Sequence, residues 1–456
     1  MTSRRCPGAT SLTVTEDRFG VLEDERTGER QAVRRFALDS GRGLSFQVVT
    51  LGAAVTALSL PDRRGAVEDI VLGFDSLQDY VEHSALSLSG VMGRVSGRVG
   101  GASFRLGENI HFVTENDGHH HRDGGVAAFH KALWEAKMLE DGVLLSHVSW
   151  DGAGGFPGAV LAEVSYRLPR DSVLPELWVD MTAVATAPTP LDMSLAMPFN
   201  LAGHDAGEPA LKDHLLTLDA DQYLATTRDF IPTGQLWYVG GTCLDFRKPV
   251  WLGLAMERPP IGGLEHTFCL TPMPPQERPR FVARLEHPMS GRAVEVRSDH
   301  CAARVYSFWD LSPPWVMDQA AGTGDDVGRT EPAPEGHFYK ENRASADELF
   351  PDYVDLYAGP EEEEEGAGDA AEAGEQPECL EEGERPPTQK SDVSCHVSAT
   401  TLPGLAGKGG SSYYKNGAIM ITPQGYPNAV NKIPLNLAKK ILEDMDFQFI
   451  KLFFIV

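Results

Sequence analysis

The sequence predicts an all-β protein, a large sandwich or barrel of short antiparallel strands, on three observations. Short runs rich in Val, Leu, Ile and Phe recur along most of the chain, some of them alternating apolar and polar residues. Gly, Pro, Asn and Asp punctuate these runs at PDRRG, DGAGGFPG, IPTG and HPMSG, the residues that tight turns demand. No stretch ahead of the acidic region sustains a helical apolar period with caps, which argues against alternating strand–helix units.

In chain order the expected strands begin with LSFQVVTLG and DIVLGF, then GVLLSHVSW. AVLAEVSYRL is the cleanest: Val160, Ala162, Val164, Tyr166 and Leu168 share one face, with Glu163, Ser165 and Arg167 on the other. HLLTLDA, RFVARLEH, AVEVRS and ARVYSFW continue the series. Near the C-terminus NLAKKILEDMDFQFIKL fits either a helix or a strand. No internal repeat is visible.

The chain has 456 residues and a formal net charge of −26, enough length for one large or two ordinary domains. Ser312 to Ala406 holds 23 acidic and 5 basic residues, among them EEEEEGAGDAAEAGEQPECLEEGE. So charged a segment, with few large apolar groups, cannot offset its ordering entropy by burial. The expected organisation is therefore a flexible N-terminus (1–13), a β body (14–311), a mostly disordered acidic insertion (312–406) and a C-terminal completion of the β body (407–456). FYKENRASADELFPDYVDLY is the one candidate for local order inside the insertion.

The acidic balance argues against nucleic-acid or anionic-membrane partners, because phosphate binding needs a basic footprint. The apolar runs are too short for a membrane-spanning helix, and the N-terminus lacks the apolar core of a secretory signal. The six cysteines show no CxxC spacing and read as reduced thiols, so a cytoplasmic location is expected, with a monomer as the working state. Glycine-rich phosphate loops are absent, and no cofactor is expected. His119, His120 and His121 are adjacent, so they diverge on an extended segment; a solvated loop is expected and no metal site. There is no GxSxG elbow and no evident cysteine–histidine pair.

Longer blocks carry a resemblance. GAAVTALSLPDRRGAVEDIVLGFDSLQDYV, GVMGRVSGRVGGASF, GGVAAFHKALW, GGFPG, FNLAG, IPTG, GLEHTFCL and GKGGSSYYKNGAIMITPQGYPNAVN occur in this order from about Val14 to Asn431. Together they resemble the galactose mutarotase (aldose 1-epimerase) family. The resemblance implies a β-supersandwich of large antiparallel sheets, interrupted here by the acidic insertion, whose concave face holds an aldohexose such as galactose or glucose. The family reaction interconverts α and β anomers: a base takes the proton from the O1 hydroxyl, an acid protonates the ring oxygen O5, and the ring opens and recloses. Both groups must lie within hydrogen-bond reach, with pKa values near the working pH.

Carried over position by position, the family's glutamate base falls on Thr422 and its histidine acid on Ala196. The second histidine falls on Asp123, the asparagine on Gly97, the glutamine on Arg304 and the aspartate on Glu265, while the arginine survives as Arg98. Phe156 matches an aromatic at the sugar's edge. A threonine hydroxyl does not ionise at neutral pH and cannot stand in for a carboxylate base, so the resemblance implies a retained scaffold with lost or strongly reduced epimerase activity.

Each retained residue has two readings. Arg98 contacts a sugar or pairs with acidic neighbours; Glu265 with His266 forms a general-base pair or a solvated strand-end pair. Phe156 is a stacking platform or loop packing, and Asp123 is a substitute acid–base group or a turn former. The substrate-binding candidates are Arg98, Phe156, Glu265 and Arg304; the catalytic candidates are Glu265 and Asp123, with His121 or His266 as an imidazole partner. An alternative is an active epimerase built on these groups. Another is an interaction platform whose acidic insertion binds a basic protein surface, and a further variant takes sugar phosphates through Arg94, Arg98 and Arg304.

Overall fold

The computed structural model describes residues 12–23, 28–170, 172, 174–257, 263–271, 279–309, 405–427, 431 and 446–455, the last stretch as backbone. Among them three antiparallel sheets carry the architecture. Five strands pair as successive hairpins: Thr13–Glu23, Arg30–Asp39, Ser45–Val49, Val55–Pro61 and Val67–Asp69. A nine-stranded sheet runs Glu135–Met138, Gly142–Ser149, Val160–Arg167, Glu176–Ala185, Asp446–Ile455, Ala293–Ser298, Arg280–Glu286, Leu215–Leu218, Val250–Trp251. A six-stranded sheet runs Pro198–Phe199, Ile419–Gln424, Ala302–Tyr306, Glu265–Leu270, Ala220–Thr226, Pro232–Tyr238.

One apolar core joins the three sheets. It takes Phe36 and Phe46 from the first, Val164, Tyr166 and Val179 from the second, and Phe268, Val305 and Ile421 from the third. Each such side chain, removed from water, contributes on the order of 1.5–3 kcal/mol, which is what holds the layers together. The Tyr166 hydroxyl ties two of them by donating to the Ala53 carbonyl at 2.7 Å.

The expected alternation in Val160–Arg167 holds on its core face, where Val160, Ala162, Val164 and Tyr166 are fully buried. On the opposite face Glu163 and Ser165 are buried too. A second, smaller cluster of Ala159, Leu161, Val148 and Val184 covers part of that face, and the Ser165 hydroxyl donates to Asp180. Three short α-helices, Leu77–Glu82, Gly207–Lys212 and Leu252–Met256, were not foreseen. Each is too brief to display a helical apolar period, although Ser76 caps the first by accepting from the Asp79 N–H.

The ambiguous C-terminal segment is a strand from Asp446 onward, and its residues 436–445 lie outside the described residues. So does the acidic insertion except for Leu405 and Ala406, which pair with Tyr413 and Ser412 in a short hairpin. Among the described residues no helix is long and apolar enough to cross a membrane.

Candidate functional site

Strand alternation on the six-stranded sheet places the site. Phe268, Val305 and Ile421 point into the core, so Glu265, Thr267, Arg304 and Thr422 share the other face. Arg304 stands in register between Thr267 and Thr422 on neighbouring strands. A two-residue ladder, Arg98–Val99 with His121–Arg122, lies against this face and brings Arg98 onto Glu265.

The ladder is closed by Asp123 and two glycines. Asp123 Oδ1 accepts from the Gly97 N–H at 2.7 Å, and its own N–H donates to the Gly97 carbonyl at 3.0 Å. Gly97 has φ 74°, and a Cβ there would meet the Pro427 ring at 2.9 Å. Gly124 has φ 89°, and a Cβ would fall 1.8 Å from the Gly93 carbonyl oxygen, so only glycine fits either position.

Glu265 is the hub. Its Oε1 accepts from Arg98 Nη1 at 2.7 Å and from Arg304 Nη2 at 2.8 Å, and its Oε2 accepts from Trp309 Nε1 at 3.0 Å. Burial alone would raise its carboxyl, but Arg304, Arg98 and Arg122 outweigh that and hold it at about 2. Burial likewise opposes ionisation of Asp123, and the Arg304 and Arg122 guanidiniums with the Gly97 N–H bring it below the ordinary carboxylate range. Arg98 also donates from Nε to Asp117 Oδ2 at 2.5 Å, and Arg122 from Nε to Asp123 Oδ2 at 3.2 Å. The result is a lattice of three guanidiniums and three carboxylates. Phe230 lies under Arg98, 5.2 Å from ring centre to guanidinium carbon, and next to Trp309.

Arg98, Asp123, Glu265, Arg304 and Thr422 are thus gathered on one face. The Thr422 hydroxyl and both amide atoms of Gln424 are buried there without a hydrogen-bond partner among the described residues. Ala196, also buried, belongs to an apolar cluster with Tyr306 and Met420. Phe156 is 2% exposed and packs on Phe104 and His121, with Arg94 over its ring. Arg94 itself is buried and spends its donors on Ser149, Trp150 and Pro157.

The histidine triplet is not the uniformly solvated loop expected. His119 is exposed, His120 accepts from the Gly101 N–H, and His121 is fully buried because its ladder pairing with Val99 turns it inward. His121 Nδ1 is 2.9 Å from the Thr114 carbonyl and donates to it, leaving Nε2 buried and without a partner among the described residues. Its burial lowers its pKa, against the opposing pull of Thr114 and Asp123. His266 alternates with Glu265 to the other face of the strand, packs edge-on against Tyr223, and is pushed down to about 4 by burial. Glu265 and His266 therefore do not converge.

Arg122, Asp117, Trp309 and Gln424 were missed by sequence reasoning. Arg122 had a signal, as the neighbour of Asp123 in HRDGG; Asp117 had none, since a loop carboxylate has no periodicity. Among the described residues no group of three or more His, Cys, Asp or Glu side chains is placed to hold a metal ion. A separate small pocket of about 20 Å³ is lined by Leu51, Phe74, Tyr80, Ser87 and His130, and none of the residues above lines it.

The family model for aldose 1-epimerase matches residues 34–339. The galactose mutarotase of Sus scrofa is 36% identical over 296 residues, 65% of this chain and 82% of that protein. That of Bos taurus is 36% identical over 60% of this chain and 77% of its own length. The fold is that of a GalM/aldose epimerase homologue from C. elegans, with TM-score 0.64 at 19% identity, covering 91% of this chain and 96% of that one. A galactose 1-epimerase from Lactobacillus acidophilus superposes with TM-score 0.62 at 18% identity, over 97% and 99% of the two chains. On the match of the family model and of these relatives, the chain belongs to the aldose 1-epimerase family.

Proposed function

We propose that this chain keeps a cleft for an aldohexose such as galactose or glucose, while its interconversion of α and β anomers is lost or strongly reduced. The observation that carries the reading is the state of Glu265. Its three hydrogen bonds come from Arg98, Arg304 and Trp309, and its carboxyl sits at about 2. A carboxylate so stabilised is a weak base for a sugar hydroxyl, and general acid–base catalysis contributes on the order of 10²–10⁴-fold per positioned group. Thr422 and Ala196, at the family's base and acid positions, supply neither an ionisable group nor a proton. Retention of a sugar is supported by the buried, unpartnered Thr422 hydroxyl and Gln424 amide, which favour a polar occupant.

One observation favours a second reading, an active epimerase with a relocated imidazole. His121 holds its Nδ1 proton on Thr114 and carries a free Nε2 lone pair two residues from Asp123. Polarimetry of fresh α-D-galactose separates the two. The first reading expects no acceleration above the buffer rate. Acceleration that disappears in both Glu265→Ala and His121→Ala overturns it and establishes the second.

A further inference from the structure

We infer that Ser87 and His130 form a nucleophile–base pair that takes an acetyl-sized acyl group from an activated ester, at a site apart from the Glu265 face. Ser87 Oγ lies 3.1 Å from His130 Nε2, the reach a base needs to take a hydroxyl proton. Both residues line the small pocket together with Leu51, Ala54, Phe74 and Leu88. Its space is little more than water-sized, which suits an acetyl methyl and excludes a longer chain.

Two turns bring the pair together. Ser87 closes the turn Ser84–Leu86 with φ 51°, a left-handed conformation that a residue other than glycine adopts at a cost. His130 lies in the turn Phe129–Lys131, and Gly52 and Gly90 make room for it. A Cβ at Gly52 would fall 2.3 Å from the His130 carbonyl oxygen, and one at Gly90 would fall 2.7 Å from the His130 Cβ. His130 Nδ1 is buried without a well-formed hydrogen bond among the described residues, and the Ser84 carbonyl is the acceptor that acts on the ring. With the ring proton on Nδ1, Nε2 presents its lone pair to the Ser87 hydroxyl. Burial pushes His130 down to about 3, helped by Lys131 and opposed by Asp123. The imidazole is therefore neutral and able to accept a proton, but it is a weak base, which confines the pair to esters with a good leaving group. The Leu88 N–H directly follows Ser87 and donates to no acceptor among the described residues, so it can serve a developing oxyanion.

In the acylation step the Ser87 Oγ–H bond breaks as an Oγ–C bond forms, and the proton passes to His130 Nε2. Collapse of the tetrahedral adduct breaks the C–O bond to the leaving alcohol, which departs with that proton. The product is O-acetyl-Ser87; water taking the same route releases acetate and restores the serine.

The test is incubation of the full chain with p-nitrophenyl acetate, following nitrophenol release and then the mass of the intact protein. A burst of release is expected, with one acetyl group mapped to Ser87 by peptide mass spectrometry. The octanoate ester should react at least about tenfold more slowly. Ser87→Gly, which relieves the left-handed backbone, should abolish the adduct with the near-UV circular dichroism unchanged. His130→Gln should slow acylation at least about tenfold. Absence of an adduct at Ser87 overturns the inference. So does an adduct that forms as fast in His130→Gln, because the serine would then react without its base. Equal rates for acetate and octanoate overturn it too, because the acyl group would then lie outside the pocket.

Discussion

Glu265 shows what a lattice of guanidiniums does to a buried carboxylate. Arg98 and Arg304 lie within ion-pair distance of Glu265, and Arg122 and Arg304 within ion-pair distance of Asp123. The Glu265 carboxyl lies below its ordinary value of 4.5, at about 2. A lowered carboxylate stabilises the fold above its unfolded pKa, and that contribution is lost as pH falls through the folded value. Glu265 therefore contributes on the order of 3 kcal/mol at neutral pH, disappearing between about pH 4.5 and pH 2. Glu265→Gln removes the carboxylate that Arg98 and Arg304 share, leaving them only Asp117 and Asp123 against three guanidiniums, and is expected to cost about 3 kcal/mol at pH 7. Urea unfolding of both proteins should show the gap narrowing as pH drops toward 3. A gap that stays constant with pH would show that the ion pairs do not stabilise the fold. Arg98, Asp123, Glu265 and Arg304 were legible because they sit in blocks that resemble the family, whereas Arg122 and Asp117 were not singled out. The state of the lattice was not legible, since whether Arg304 reaches a sugar or Glu265 depends on cross-strand register, which no local pattern in ARVYSFW reveals.

At the scale of elements, the segment after the acidic region is stapled by a buried lysine. Lys408 Nζ donates to the Thr56 and Val71 carbonyls at 3.0 and 2.7 Å and pairs with Asp69 at 2.5 Å. The Tyr413 hydroxyl accepts from the Gly73 and Lys408 N–H groups, and the Gly409 N–H donates to Asp75. Burial lowers the lysine's pKa, and Asp69 opposes that shift. Lys408→Ala leaves Asp69 and two carbonyls without their donor and should destabilise the protein by about 3–5 kcal/mol. The check is a lower urea midpoint with an unchanged slope; an unchanged midpoint would reduce the staple to a surface contact. Val160–Arg167 could be read from its alternation, because one face of that strand meets a wholly apolar core. GKGGSSYY could not, because its order comes from contacts with residues more than 300 positions earlier. The six-residue helix behind Ser76 was hidden by its brevity, not by its residues.

Across the whole molecule, the chain crosses the acidic region before both large sheets are complete. Ile419–Gln424 lies between Pro198–Phe199 and Ala302–Tyr306, and Asp446–Ile455 lies between Glu176–Ala185 and Ala293–Ser298. Both are interior strands, so without them each sheet splits and exposes two raw edges with unpaired backbone groups. Ile419–Gln424 also closes the core, since Ile419 and Ile421 pack with Phe268 and Val305. Two consequences follow for a chain cut inside Glu361–Glu384. A chain ending at Glu384 should not fold alone and should aggregate when expressed. A full chain folded first and then cut at an engineered protease site there should stay together, because backbone pairing on both flanks of each inserted strand does not depend on the covalent link. Size-exclusion chromatography and near-UV circular dichroism of the nicked protein should match the intact one. A soluble 1–384 fragment with a native near-UV spectrum would show that the two interior strands are dispensable. Dissociation on nicking would mean that the acidic region is part of the folded body and not an insertion between its halves.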